Sequence, residues 1–232
     1  VELLYHTPDP ERAIATAARL CYAPVGAAEL METMPPERIK SVLTTIMSSG
    51  HFSTLAHASY TFAVDGVSRA LTHQLVRHRI ASFNQQSQRY VKFTGDVAVV
   101  KPQSIAGNAE ASEAFDKAIQ AAVDAYHALL EAGVPAEDAR YLLPNAAESK
   151  IVITMNVREL LHFFSLRCCT RAQWEIRALA NEMLRQCQAV APVIFENAGP
   201  TCVSEGVCHE GAMSCGRLQA ILAAKAKAEQ KQ

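Results

Sequence analysis

Basic and hydrogen-bonding side chains are concentrated in residues 77–90, which read RHRIASFNQQSQRY. This segment holds three arginines, a histidine, two serines and three glutamines, and it contains no carboxylate. The acid-free region extends from residue 66 to residue 95 and contains five cations, which are Arg69, Arg77, Arg79, Arg89 and Lys92. Surface charge normally mixes signs, and the arginine guanidinium bonds phosphate oxygens through two N–H groups at once. The pattern therefore predicts a site for an anionic ligand, with a solvated basic loop as the alternative.

A second polar cluster lies in residues 156–177, which read NVRELLHFFSLRCCTRAQWEIR. Arg167 follows an apolar turn of a predicted helix and precedes two cysteines, where a solvated charge is not expected. A partly buried arginine needs an anionic or carbonyl partner, and Glu175 or Glu137 could supply one. Asn156 has the alternative role of capping this helix, and His162 that of a packed histidine.

Other common chemical signatures are absent from the sequence. There is no G-x-G-x-x-G, no P-loop and no H-E-x-x-H, so a nucleotide has to be held by side chains. His51 and His57 have no neighbouring carboxylate or cysteine that would complete a metal site. The tail contains three cysteines and a histidine, but their spacing matches no compact zinc motif, and we predict no bound metal. These tail residues are Cys202, Cys208, Cys215 and His209.

The composition is that of a globular protein: the 232 residues are 50% hydrophobic and carry a net charge of −1. Near-neutral charge gives no general tendency to bind nucleic acid or membranes. No run of 18 apolar residues occurs, and the N-terminal residues do not form a secretory signal, so we expect a cytoplasmic protein. Seven cysteines without a secretory context are expected to remain reduced.

Hydrophobic periodicity and helix-cap residues predict the elements that position these clusters. Asn156 and Glu159, three positions apart, predict the start of a helix at that point. Gly66 is predicted to end the first strand, and the segment after Arg77 to be irregular. Helices are predicted at about 10–20, 36–50, 67–77, 115–133, 135–140, 157–167 and 176–187, and strands at 60–64, 91–100 and 150–154; residues 225–232 are expected to be a frayed, solvated end. The prediction is one helix-rich α+β domain with a small antiparallel sheet.

The spacing R-H-R-x-x-S-x-N-x-x-S-x-R-Y in residues 77–90 resembles the signature of flavin-dependent thymidylate synthases, the ThyX family. Eight fixed residues in fourteen positions make this pattern specific. The similarity continues at Gly50-His51, Gln74, GVPAEDAR-x-x-LP and N-x-R-x-L-x-x-F-x-x-LR-x-x-x-x-AQWEIR, over roughly residues 20–195. We therefore predict a ThyX-like catalytic domain in residues 1–200 and a separate cysteine-bearing tail in residues 201–232.

The resemblance implies reductive methylation of dUMP to dTMP, with methylenetetrahydrofolate as carbon donor, FAD as hydride carrier and NADPH as reductant. It also implies a homotetramer whose sites are shared between subunits. The site would hold three anions, and the basic segment would supply the counter-charge. No covalent enzyme nucleophile is implied, so Cys168 and Cys169 are interpreted as packing residues, although a nearby guanidinium could lower a thiol pKa.

The resemblance also assigns residues to each ligand. Arg167 would activate the uracil ring by stabilising the negative charge that develops on it. The residues implied for dUMP are Gln74, Arg77, Gln85, Gln86, Ser87, Gln88, Arg89, Arg140 and Arg167. The residues implied for FAD are His51, Ser53, Arg77, His78, Arg79, Ile80, Asn156, Arg158, His162 and Leu166. Gln85 departs from the family pattern, which has glutamate there.

Two other functions stay open at this point. A nucleic-acid-binding module could grip phosphates with the cations of residues 77–92 and stack bases on Phe83 and Tyr90. Near-neutral charge and scattered aromatic residues argue against it. A flavoenzyme acting on another pyrimidine nucleotide is the second alternative, because the assigned residues do not define the 2′ position of the sugar.

Overall fold

Helices dominate the computed structural model, which describes residues 1–229. The helices are α1 Pro10–Leu20, α2 Ala27–Thr33, α3 Pro36–Ser49, α4 Arg69–Leu75, α5 Gln103–Ala106, α6 Ala109–Glu131, α7 Ala136–Ala139, α8 Val157–Arg167, α9 Trp174–Val190, α10 Pro192–Phe195, α11 Thr201–Ser204 and α12 Arg217–Glu229. Short 3₁₀ helices span Phe52–His57, Arg140–Leu142 and Gly211–Met213. The strands are β1 Glu2–His6, β2 Ser59–Ser68, β3 Ala81–Gln85 and β4 Glu148–Asn156.

The four strands form one antiparallel sheet in the order β1-β2-β4-β3. Together with the helices, this sheet confirms the predicted helix-rich α+β class. Within residues 1–229, the helices are each too short or too polar to cross a membrane.

Local capping signals defined several helices as expected. Helix α1 has the predicted limits, and the Asp9 side chain at its N-cap accepts a hydrogen bond from the Arg12 N–H. Gly50 is the C-cap of α3, and its φ of 74° lies in the left-handed region that glycine adopts without steric cost. At the start of α8, the Asn156 side chain accepts from the Glu159 N–H at 2.9 Å. The capping role considered for Asn156 is thus present.

Four structural predictions were wrong. Gly66 does not end β2: it has φ 69°, and the strand continues to Ser68. The predicted strand at 91–100 is a loop with one isolated bridge, from Val99 to Ala147. Part of the segment predicted to be irregular forms β3. The chain end predicted to fray is helical up to Glu229, and its last three residues lie outside the described part of the chain. Strand β1 and helix α2 were not predicted.

The first of two compact units contains Val1–Phe62, His78–Ser82 and the described residues from Thr154 onwards. Its core is aromatic and aliphatic: Tyr60 and Phe195 meet edge to face at 5.8 Å, and Phe164 lies 6.0 Å from Phe195. Helix α8 is part of this core, because Leu160, Phe163 and Phe164 are buried. This burial fixes the helix that carries Arg167.

The second compact unit contains Ala63–Arg77 and Phe83–Ile153. Val97, Val123 and Ala147 form a buried cluster there. Tyr126 is also buried, and its hydroxyl accepts a hydrogen bond from the Phe93 N–H. Residues 91–100 are therefore held by side chains of α6 although they form no strand.

Candidate functional site

His78, Glu159 and Arg167 form a hydrogen-bonded chain in the first unit. Glu159 Oε1 lies 3.0 Å from His78 Nδ1, and Arg167 Nε donates to His78 Nε2 at 3.1 Å. Only 4% of His78 and 6% of Glu159 are exposed, whereas Arg167 is half-buried. Burial lowers the pKa of His78, the Arg167 and His162 charges lower it further, and Glu159 opposes this shift. His78 is therefore neutral near pH 7. It is one hydrogen-bond partner of the Arg167 guanidinium, for which the sequence suggested Glu175 or Glu137 as partners.

Aromatic packing fixes the orientation of the His78 ring. The ring of Phe163 lies edge-on to it at 5.0 Å, and His162 contacts it at 5.8 Å. Glu159 and Phe163 both belong to α8.

 The spacing of Glu159 and Phe163 along α8 is i and i+4, so the two side chains lie on the same face of the helix and both reach the His78 ring.

An exposed stripe of two polar side chains and one apolar side chain runs along another side of α8. Arg158, His162 and Leu166 follow each other at i, i+4 and i+8, and all three are exposed. Helix α8 also packs against the 3₁₀ helix Phe52–His57, which carries Ser53 and directly follows His51. The α8 and 3₁₀-helix residues that the resemblance assigned to FAD therefore lie on two elements of the first unit that pack against each other.

The remaining residues assigned to FAD differ in their placement. Arg79 and Ile80 are exposed in the short segment that follows His78, and Asn156 caps α8. His78 is buried and both of its ring nitrogens are engaged, so its side chain is not displayed to a ligand. Arg77 belongs to the second unit.

In the second unit, Gln85 lies in a network of buried hydroxyl groups. Its Nε2 donates to Ser149 Oγ at 2.7 Å and to Thr72 Oγ1 at 3.1 Å. Ser149 and Thr72 are both buried. The two amide hydrogens therefore tie β3 to α4 and β4, because an amide donates two hydrogen bonds where a carboxylate donates none. Gln86 continues this arrangement through its main-chain N–H, which donates to the Lys150 carbonyl at 2.9 Å.

Arg89 and Arg140 converge on Glu137. Arg89 Nε and Nη2 lie 2.9 and 2.8 Å from Glu137 Oε2, and Arg140 Nε donates to the Glu137 carbonyl at 2.9 Å. Burial and the Arg140 charge both lower the pKa of Arg69, so a third guanidinium lies within electrostatic range of this group. Sequence reasoning counted Arg69 among the basic residues but gave it no role. Three guanidinium groups and one carboxylate leave this region with a net positive charge.

The other residues assigned to dUMP in this unit have less defined environments. Gln74 and Gln88 are half-buried, and Arg77 is exposed at the turn that follows α4. Ser87 Oγ accepts a hydrogen bond from the Arg89 N–H at 3.2 Å, which shapes the chain just before the arginine. Gln74 lies in helix α4 between the buried residues Thr72 and Leu75, and its own side chain is only partly buried.

Cysteines line a small cavity in the first unit. Its volume is about 110 Å³, and Cys169, Cys202, Cys208 and Cys215 contribute to its wall. All seven cysteines are free thiols. Across residues 1–229, no three side chains of histidine, cysteine, aspartate or glutamate are grouped so that they could hold a metal ion.

The residue that sequence reasoning missed is Glu159. It was interpreted only as part of a helix-capping pattern, in which its side chain would return to the N-cap. Its carboxylate instead contacts His78, which lies 81 positions away in the sequence. A glutamate on the apolar side of a helix, one position before Leu160, was the available signal, because buried carboxylates need a partner.

In the second unit, Arg69, Arg89 and Arg140 form a group of guanidiniums of the kind that binds phosphate-bearing ligands. The model of the thymidylate synthase complementing protein family matches residues 2–193. The flavin-dependent thymidylate synthase of Geobacter sulfurreducens is 60% identical over 222 residues, which cover 95% of both chains. Those of Clostridium tetani and Nitratidesulfovibrio vulgaris are each 49% identical, covering 94% of this chain and 93% and 94% of theirs. The chain belongs to the flavin-dependent thymidylate synthase family, which confirms the resemblance.

Proposed function

We propose that this protein is a thymidylate synthase that methylates dUMP to dTMP. The carbon donor is methylenetetrahydrofolate, and the reductant is NADPH. The observation that carries the proposal is family membership over residues 2–193, in a chain that holds Arg167 in a defined hydrogen-bonded position. Glu137 partly neutralises the Arg89 charge, which does not favour the alternative function of nucleic-acid binding.

The residues of the first unit fit a flavin dinucleotide in their chemistry. Arg79, Arg158 and His162 are exposed and offer donors for a pyrophosphate, while Ile80 and Leu166 are exposed apolar side chains suited to a ring system. FAD, when bound, supplies the hydride that reduces the transferred carbon unit. The residues that would hold it are His51, Ser53, Arg77, His78, Arg79, Ile80, Asn156, Arg158, His162 and Leu166. His78 would take part through its main chain, because its ring nitrogens are engaged.

Arg167 is the residue that would activate the pyrimidine. A fixed cation beside the uracil carbonyl and N3 stabilises the negative charge that develops as C5 becomes a nucleophile. An arginine serves this purpose because it stays protonated at every relevant pH. The His78 contact limits its rotation, so less reorganisation is needed when the charge develops.

The nucleotide would be held mainly by the second unit. Its residues assigned to dUMP are Gln74, Arg77, Gln85, Gln86, Ser87, Gln88, Arg89 and Arg140. The Arg89 and Arg140 guanidinium groups are suited to the phosphate, since Glu137 occupies only part of their donor capacity. A homotetramer with shared sites is part of the proposal, as is a cytoplasmic location.

Replacement of Arg89 by alanine is expected to raise the dUMP dissociation constant about 10- to 100-fold, because a charge-assisted hydrogen bond to phosphate is lost. Isothermal titration with dUMP measures this effect. Arg185→Ala is the matched control, because Arg185 also forms an exposed ion pair, with Glu182, and has no assigned ligand. Equal dUMP dissociation constants in the Arg89 variant and the control would show that Arg89 does not belong to the nucleotide site.

Cys168→Ala is expected to leave methylation within about twofold of the unsubstituted enzyme. Burial raises the pKa of the Cys168 thiol to about 12, so the thiolate required of a nucleophile is almost absent near pH 8. Single-turnover assays, together with thiol titration of the folded protein, measure both properties. Loss of turnover with FAD still bound would show instead that this thiol takes part in the chemistry.

The reaction itself is tested by tritium release from [5-³H]dUMP, with and without NADPH. The expected result is release of tritium together with dTMP formation, dependent on NADPH, methylenetetrahydrofolate and a yellow flavin-containing protein. Parallel assays with other pyrimidine nucleotides test the alternative substrate. If a different nucleotide is methylated and dUMP is not, the proposed substrate is wrong.

A further inference from the structure

The chain Glu159–His78–Arg167 joins a buried carboxylate to the guanidinium that the proposed function makes catalytic. We propose that Glu159 is a positioning residue, which holds Arg167 by fixing His78 in its Nδ1–H tautomer. This inference rests on the proposed function for its effect on turnover. The tautomer itself is a property of the protein alone.

The chemistry of the three groups determines where the proton lies. A guanidinium only donates hydrogen bonds, so His78 Nε2 must be the acceptor in its 3.1 Å contact with Arg167 Nε. In a neutral imidazole the other nitrogen then carries the proton, and Nδ1–H donates to Glu159 Oε1 at 3.0 Å. One tautomer alone satisfies both contacts.

Charge makes this arrangement sensitive to acid. The groups facing His78 are Glu159, Arg167 and His162. Protonation of His78 would turn Nε2 into a donor directed at another donor, which would push Arg167 away. Because burial and the Arg167 charge lower the pKa of His78, the neutral form persists below the usual histidine value near 6.5. The contact is therefore complete at neutral pH and is lost as the pH falls through the lowered pKa.

Substitution of Glu159 by glutamine distinguishes a positioning role from a simple packing role. Glu159→Gln preserves the size of the side chain, but an amide both donates and accepts, so it can pair with either tautomer of His78. The carboxylate charge is lost as well. Since Glu159 raises the pKa of His78, its removal is expected to move the acid limb of activity to lower pH.

The first experiment measures the tautomer by ¹⁵N NMR of histidine side chains in the protein without substrate. His78 signals are assigned by their loss in His78→Asn. The expected result is a single Nδ1–H form in the unsubstituted protein and a mixture of tautomers in Glu159→Gln. Glu11→Gln is the matched control, because Glu11 Oε1 accepts hydrogen bonds from the Val193 and Ile194 N–H groups in the same unit and has no assigned ligand. An Nε2–H form in the unsubstituted protein would overturn the inference.

The second experiment measures turnover against pH. Glu159→Gln is expected to lower kcat about tenfold, with less than a twofold change in KM for dUMP, and to shift the acid limb to lower pH. Full activity with an unchanged profile would overturn the positioning role while leaving the proposed function intact.

Should Glu159→Gln not fold, Arg167→Ala provides a second test: loss of its charge is expected to raise the pKa of His78 in the NMR titration. An unchanged titration there would show that Arg167 does not contact His78 and would overturn the inference.

Discussion

Replacement of Arg167 by alanine is expected to lower kcat about 100- to 1,000-fold, the range typical when one preorganised electrostatic group is removed from an active site. The substitution should lower kcat more than it weakens flavin binding, because Arg167 is not among the residues assigned to FAD. The alanine variant also removes the hydrogen-bond donor to His78. Absorbance of the purified protein reports the bound flavin, and tritium release reports turnover.

Two further variants make the Arg167 result specific. Arg167→Lys keeps the positive charge but loses the planar Nε–H donor, and an intermediate rate is expected. Arg12→Ala is the control for loss of a half-buried arginine in the same unit, since Arg12 bonds Asp9 and the Met34 carbonyl. Near-normal turnover in Arg167→Ala would refute its proposed role. A comparable loss in Arg12→Ala would show that the effect arises from the fold.

Local signals explain which elements could be predicted from sequence. Helix α1 begins at Pro10, Gly50 is the C-cap of α3 and Asn156 is the N-cap of α8. The backbone preferences and side-chain hydrogen bonds of such residues act within a few positions. Such signals need no knowledge of the rest of the chain. The polar residues of the basic segment were recognisable for the same reason, because their composition is a local property.

Strands were predicted less well because their stability depends on pairing with distant segments. Strand β3 begins four residues after Arg77 and carries Ser82, Asn84 and Gln85, which do not have the composition of a strand. Its neighbour in the sheet is β4, and the ladder continues where the Gln86 N–H donates to the Lys150 carbonyl. Residues 91–100 show the opposite case, with alternating residues and no partner strand along their length.

The candidate site shows the same difference between local signals and contacts that join distant parts of the chain. Arg167 and His78 were identified by type and by resemblance, but their mutual contact joins residues 89 positions apart. The role of Glu159 depends on that contact and has no local signature beyond a carboxylate on an apolar helix face. Sequence therefore predicted the chemical groups, whereas folding determines which group orients which.

Phe163→Ala is expected to lower the free energy of unfolding by about 3–5 kcal/mol, the range for truncation of a fully buried phenylalanine. Phe163 is 0% exposed, and its ring contacts both Phe164 at 5.7 Å and His78 at 5.0 Å. Denaturant unfolding at fixed protein concentration measures the loss.

Phe52→Ala is the matched control: Phe52 is 39% exposed, and a change below about 1 kcal/mol is expected there. Because the cavity would open beside the His78 ring, turnover should also fall in Phe163→Ala, by weakening the orientation of Arg167. Equal stability of the two variants would mean that Phe163 does not support the ring, and the His78 orientation would then depend on its hydrogen bonds alone.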